Sequence, residues 1–242
     1  MVNNLTVDIG NTKIKAGVFF DDILQEIFVF EKNEIHALKN IVKKNAITHS
    51  ILSCVGNEII ELEKLLSDET HFVKLNHQTR LPFTNKYKTP ETLGMDRVAA
   101  IAGALHFFSN MNCLVIDEGT CITYDFISSD AEYFGGAISP GLQMRLNAMH
   151  HFTEKLPQLF FSEINEFVGN TTESSILSGA FYGMLSEINE TISRYDQRYG
   201  ALQVITCGGD SILFDKHIKR NIFAAPYLVL YGLNKILSFN VK

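Results

Sequence analysis

LTVDIGNTKIKAGVFF, residues 5–20, is an apolar run that meets a lone acid, Asp8, and then turns at Gly10-Asn11-Thr12. It leaves again as Ile14, Ala16, Val18 and Phe19, so the pattern predicts a β-hairpin. A structural turn needs a glycine or an amide for its backbone. It does not need a carboxylate, a glycine, an amide and a hydroxyl gathered at one place. That surplus of polar groups marks the turn as a site.

The same phrase returns at residues 113–127, CLVIDEGTCITYDFI. An apolar strand ends at Asp117, Gly119-Thr120 turns the chain, and Ile122, Tyr124 and Phe126 alternate along a second strand. The two aspartates are separated by close to half the chain. The segments after the two hairpins are also alike. After the first come a strand at 23–30, a helix near 33–44, a buried strand at 48–55, an amphipathic helix from Asn57 to about Ser67, and a strand at 71–75. After the second come a strand at 132–138, helices near 141–150 and 172–197, and a strand at 203–207 that breaks at Gly208-Gly209-Asp210. Each half therefore reads as a mixed α/β domain, and the chain as that domain used twice. The expected domains are residues 1–90 and 110–242, with a linking helix from about residue 95. The stretch 76–93, which holds two of the five prolines, reads as the connection.

Bulk composition narrows the function. With 242 residues, 46% of them hydrophobic, the chain can build two real cores. Charged residues are 20% and scattered, so a disordered chain is excluded. The net charge of −6 and the lack of a basic face argue against a nucleic-acid partner. The four cysteines, Cys54, Cys113, Cys121 and Cys207, form no CxxC pair and stand at no zinc spacing, as expected of buried thiols in a reducing compartment. No signal peptide and no run of membrane-spanning length is visible, so no membrane partner and a cytoplasmic protein are expected. His150-His151 lacks partners at metal spacing and reads as solvated, and Asp125 and Asp130 read as turn or exposed residues.

Two Asp-x-Gly-(Asn)-Thr turns can cradle phosphates. Glycine lets backbone N–H groups come close to an anion, and Thr and Asn add donors. A carboxylate repels phosphate but can hold a cation that bridges it. Asp8 thus reads as a metal-side acid. Gly208-Gly209-Asp210 reads as a place where a flat base and ribose can approach the backbone. A third element is Thr92-Leu-Gly-Met-Asp-Arg97, ahead of the Ala-rich run 98–105. Asp96 there is first of all a helix N-cap. The start of a helix is also an anion site, Arg97 offers a fork for a carboxylate, and Asp96 offers a base for a hydroxyl proton.

These features resemble the superfamily of acetate and sugar kinases, heat-shock ATPases and actin. More closely, Asp8-Ile-Gly-Asn-Thr12, Tyr87 with Pro90, Gly94-Met-Asp-Arg97, Asp117-Glu-Gly-Thr120, Gly135-Gly-Ala-Ile-Ser-Pro-Gly141, Thr172 with Ser178-Gly179, and Gly208-Gly-Asp210 fall in the order seen in type III pantothenate kinases. The match extends to Tyr231-Gly-Leu233, essentially the whole chain. The resemblance implies two ribonuclease H-like domains with a nucleotide cleft between them. It implies ATP-dependent phosphorylation of pantothenate to 4′-phosphopantothenate, the first step of coenzyme A biosynthesis, with Mg²⁺ and a monovalent cation, K⁺ or NH₄⁺, in a homodimer.

Carried over by position, Asp8, Ile9, Gly10, Asn11, Thr12, Lys13, Ile14 and Lys15 would hold the ATP phosphates, with Asp8 on the Mg²⁺ side, and Thr120 would contact ATP from the second turn. Asp117 would bind the monovalent cation. Asp96 would be the catalytic base, and Tyr87, Gly94, Met95, Asp96, Arg97 and Thr172 would line the pantothenate pocket. Three residues depart from the family pattern. Glu118 adds a second acid beside Asp117, and strand alternation should point it away from the nucleotide. Cys121 stands where Ala is frequent, and Cys207 where Thr is common.

Overall fold

The computed structural model describes residues 3–10, 13–31, 34, 36–55, 59–164 and 166–241. In chain order its elements are β1 (Asn3–Ile9), β2 (Ile14–Phe20), β3 (Ile23–Phe30), α1 (His36–Lys44), β4 (His49–Cys54), α2 (Ile60–Glu69), β5 (His71–Lys74), β6 (Thr84–Asn85) and α3 (Met95–Phe107). Then come β7 (Asn112–Glu118), β8 (Cys121–Ile127), β9 (Glu132–Pro140), α4 (Leu142–His151), α5 (Thr172–Tyr199), β10 (Leu202–Cys207), α6 (Ser211–Phe214), β11 (Phe223–Ala224) and α7 (Leu228–Asn240). By their contacts these form two compact units. The first holds Met1–Asn110, Ile127–Phe134 and Tyr227–Lys242, the second Met111–Phe126 and Gly135–Pro226. Among the described residues no helix is long and apolar enough to cross a membrane.

The first unit is built on a five-stranded sheet of order β3-β2-β1-β4-β5. β1 and β2 form the antiparallel hairpin that residues 5–20 predict, and β4 and β5 add in parallel. β1 is buried on both faces, because alternation sends odd and even residues opposite ways. Leu5, Val7 and Ile9 join Leu38, Ile41, Leu62 and Leu66 of α1 and α2 in one core. On the other face Asn4 donates its side-chain amide to Asn234 Oδ1 of α7 at 2.7 Å, a buried polar contact that registers α7 on the sheet. Asn57, expected to start α2, lies outside the described residues, and α2 is described from Ile60.

α7 is an element to which the sequence reading assigns no helix. Leu228, Leu230, Leu233, Ile236 and Leu237 are buried, and α7 packs on α3. Two glycines permit this contact. A Cβ on Gly232 would lie 1.7 Å from the Ala99 carbonyl oxygen, and one on Gly103 2.4 Å from that of Leu228. α3 is in turn buried on every side from Arg97 through Leu105, while Met95 and Asp96 of its first turn are half-buried.

The second unit repeats the plan with the run β9-β8-β7-β10-β11 of a six-stranded sheet, and β10 and β11 again add in parallel. β1 and β7 have the same length and the same sequence of buried and half-buried positions, with Asp8 and Asp117 both sixth. The duplicated mixed sheet read from the sequence is thus present, with β11 and the two-residue β6 as strands which that reading does not include. α5 packs Ile176, Phe181, Met184 and Ile188 onto Leu114, Ile116, Ile122 and Tyr124. Its start is fixed by a capping box in which Thr171 and Ser174 each bond the other's backbone N–H. One expectation fails here. Asp125 is not exposed but 1% accessible on β8, because the strand runs two residues beyond it, whereas Asp130 is exposed.

Candidate functional site

In the first unit the hairpin turn is closed by the Gly10 N–H donating to the Lys13 carbonyl at 3.1 Å. Asn11 and Thr12 lie outside the described residues. Asp8 is half-buried at the end of β1, opposite Lys15 on β2 and Ser53 on β4. Ile9 and Ile14 put their side chains in the core, so they can offer a phosphate only their backbone. Lys13 is exposed and lies 3.7 Å from Glu31.

The start of α3 gathers the other residues of this unit. Asp96 is not the N-cap that its position before the Ala-rich run suggests. Gly94 takes that place, and Asp96 is the second residue of the helix. Its Oδ1 accepts the Arg97 N–H at 2.8 Å. A side chain at Gly94 would put Cβ 2.5 Å from that oxygen, so the glycine makes room for the carboxylate. Arg97 is 7% accessible, with its guanidinium 5.7 Å from the centroid of the Tyr87 ring. Tyr87 stacks in turn on buried Tyr133, centroids 6.2 Å apart and planes within 15°. Guanidinium and ring are therefore held in place by packing, in the geometry of a cation–π contact. The N-terminal helix dipole adds to the positive field, so a carboxylate-bearing ligand is favoured beside an acid able to take a proton. Tyr133 was not legible as part of this set, because it sits on a strand far along the chain.

In the second unit the end of β7 is the centre. Asp117 is half-buried, Thr120 is exposed, and the turn closes with the Gly119 N–H donating to the Cys121 carbonyl at 3.1 Å. β10 brings Cys207 level with Asp117. The chain then bends at Gly208, whose φ of +97° is one that L side chains avoid. A Cβ there would lie 2.6 Å from Asp117 Oδ1, so no side chain fits between this loop and the acid. The Asp210 N–H then donates to the Glu118 carbonyl at 2.9 Å. Asp117, Thr120 and Gly208-Gly209-Asp210 are thereby brought to one place. Thr172 belongs to this unit too, but at the N-terminus of α5. It is exposed there and lines a groove of about 680 Å³ with Met149, Leu156, Gly169 and Ser175.

Glu118 is fully buried, and neither of its carboxyl oxygens has a hydrogen-bond partner among the described residues. Its counterpart at the seventh position of β1 is Ile9. An acid has been put where the first half keeps an aliphatic side chain. Burial, then the carboxylates of Asp215, Asp117 and Asp210, push its pKa up from 4.5 to about 8. Between those two values the folded state holds a proton that the unfolded state has lost, so stability falls as pH rises. Glu118→Ile should therefore stabilise the protein, and by more at pH 8 than at pH 5, by an amount on the order of a few kcal/mol at the upper end. Thermal melts at the two pH values measure this, and equal effects at both would contradict it.

Among the described residues no group of three His, Cys, Asp or Glu side chains is spaced to hold a metal ion.

Comparison with known proteins gives a consistent answer. Residues 4–194 match the sequence profile of the family described as Type III pantothenate kinase. A type III pantothenate kinase of Christiangramia forsetii is 44% identical over 239 residues, covering 98% of each chain. Among solved structures, a Campylobacter jejuni protein described as a Baf-family transcriptional activator has a TM-score of 0.64 at 22% identity, covering 98% of each chain. A ROK-family glucokinase from Streptomyces griseus, solved with glucose and AMPPNP, has a TM-score of 0.52 at 12% identity, covering 99% of each. At those identities the structures speak for the fold, the one that the paired hairpins predict.

Proposed function

Given that the chain belongs to the type III pantothenate kinase family, we propose how its own residues divide the reaction. The activity is the ATP-dependent phosphorylation of pantothenate in coenzyme A biosynthesis, with ATP and a divalent metal. The observation that carries the assignment of roles is the first turn of α3, where Asp96, Arg97 and Tyr87 are fixed together.

Pantothenate carries one carboxylate and a primary hydroxyl. Arg97 and the positive end of α3 hold the carboxylate, and Tyr87, Gly94 and Met95 shape the pocket, with Thr172 a further contact. Asp96 takes the proton of the hydroxyl as its oxygen bonds to the γ-phosphorus, and the bond from that phosphorus to the bridging oxygen of ADP breaks. Phosphoryl transfer asks mainly for positioning and charge neutralisation. The Asp8–Lys15 hairpin supplies backbone N–H groups to the phosphates, and Thr120 contacts ATP. Asp8 would hold Mg²⁺ and Asp117 a monovalent cation, and these ions would supply the neutralisation of phosphate charge.

Arg97→Met is expected to raise the KM for pantothenate about 100-fold, the loss of a charge-assisted contact worth about 1.5–3 kcal/mol, and to leave the KM for ATP nearly unchanged. Steady-state kinetics in each substrate check this. A variant in which the KM for ATP rises instead would move Arg97 to the nucleotide.

A homodimer is part of the same reading. Ile138, Met144, Phe152, Phe160, Phe167 and Val168 of the second unit expose between 36% and 81% of their surface. Such apolar exposure is what a second copy would cover. A reducing, cytoplasmic setting accords with four cysteines that form no disulfide, two of them buried.

A further inference from the structure

We propose that Arg145 and Glu187 form a clamp that positions the Gly119-Thr120 turn for the nucleotide, acting through the corner Ser139-Pro140-Gly141. The inference rests on the reading that Thr120 contacts ATP.

The corner is where β9 ends and α4 begins. It backs directly onto the turn: the Gly141 N–H donates to the Thr120 carbonyl at 3.2 Å, and a Cβ on Gly141 would lie 2.2 Å from the Gly119 carbonyl oxygen. Corner and turn are thus in direct backbone contact. Arg145, one turn into α4, holds the corner from behind. Its Nε donates to the Pro140 carbonyl at 2.8 Å, and its Nη2 to Ser139 Oγ at 3.1 Å and to Glu187 Oε2 at 2.5 Å. Glu187 lies midway along α5, the longest helix of the unit. Besides Arg145 it accepts the Ser139 hydroxyl at 3.1 Å on Oε2 and the Tyr124 hydroxyl at 3.0 Å on Oε1. Tyr124 is 1% accessible on β8, and burial together with Glu187 holds its phenol protonated as a donor.

One carboxylate thus ties three elements to α5, and one guanidinium makes two contacts within the corner and a third to Glu187. The Arg145 and Glu187 side chains are 22% and 29% accessible, so the pair is largely withdrawn from water. Such a pair adds little net stability over an apolar replacement, because desolvation offsets its attraction. Its planar, forked geometry instead fixes direction. The core of α5 against the sheet is apolar and does not depend on it. Losing the pair is therefore expected to loosen the turn more than the fold. The partners of Arg145 and Glu187 are groups of the protein itself, and the two act as positioning residues.

The test is steady-state kinetics on Arg145→Met, Glu187→Gln, their double variant and Thr120→Ala, with thermal melts alongside. Each single variant should raise the KM for ATP about tenfold, within the range of effects seen for a small misplacement, with the KM for pantothenate unchanged. The double variant should be little worse than either single one, because the two side chains act as one device. Arg145→Lys keeps the charge without the fork and should recover only part of the loss, which keeps the proposal testable if Arg145→Met folds poorly. If Thr120→Ala raises the KM for ATP but the Arg145 variants do not, the clamp is wrong and the reading of Thr120 stands. If Thr120→Ala leaves the KM for ATP unchanged, that reading fails and the clamp fails with it.

Discussion

Asp96→Asn should lower kcat by about 10²- to 10⁴-fold, the range for loss of a positioned general base, while the protein still folds and binds ATP. The replacement is nearly isosteric. An asparagine oxygen can keep the bond from the Arg97 N–H, which the Asp96 carboxylate now makes at 2.8 Å. Gly94 leaves room for either side chain. What the amide cannot do is take a proton from the pantothenate hydroxyl. Turnover from an ADP-release assay and ATP affinity from calorimetry separate the two effects. A kcat close to that of the unaltered enzyme would remove Asp96 from the base role. Loss of ATP binding together with turnover would mean that the first turn of α3 serves the fold of the site rather than the proton transfer.

Gly232→Ala is expected to destabilise the protein strongly. Its Cβ would sit 1.7 Å from the backbone oxygen of Ala99 and 2.7 Å from the backbone nitrogen of Gly103. Neither is a flexible side chain that could turn aside, so α7 must move away from α3. Overpacking of this kind costs about 1–3 kcal/mol, and a clash with backbone belongs at or beyond the upper end. Because α3 carries Asp96 and Arg97 in its first turn, the same displacement should raise the KM for pantothenate. A thermal melt with kinetics on the surviving enzyme measures both. A midpoint within about a degree of the unaltered protein would contradict the close contact of the two helices.

Much of this was legible from residues near one another in the chain. Each hairpin announces itself by period-two alternation that ends at an acid and a glycine, and their recurrence gives the duplicated sheet. The first turn of α3 was legible as a site because Gly94, Asp96 and Arg97 are close neighbours. The position of Asp96 in that turn was not, because a glycine and an aspartate two residues apart can each start a helix. α7 was missed for a related reason. Leu228–Asn240 is apolar on several sides and holds a glycine, so periodicity does not separate a buried helix from a strand there. The glycine that lowers its helix propensity is the one that lets it meet α3. The Arg145–Glu187 clamp lay out of reach altogether. Its partners come from β8, β9, α4 and α5, and no local pattern brings Tyr124 and Ser139 to Glu187. Glu118 could be seen as an oddity, but only the register of β7 against β1 shows that it occupies the place of Ile9.

The most direct measurement is ADP release from ATP and Mg²⁺, with and without pantothenate, in K⁺ and in Na⁺ buffers. The expected result is release that requires pantothenate and is much faster in K⁺. Release that ignores pantothenate, or bound ATP that is never turned over, would contradict the assignment.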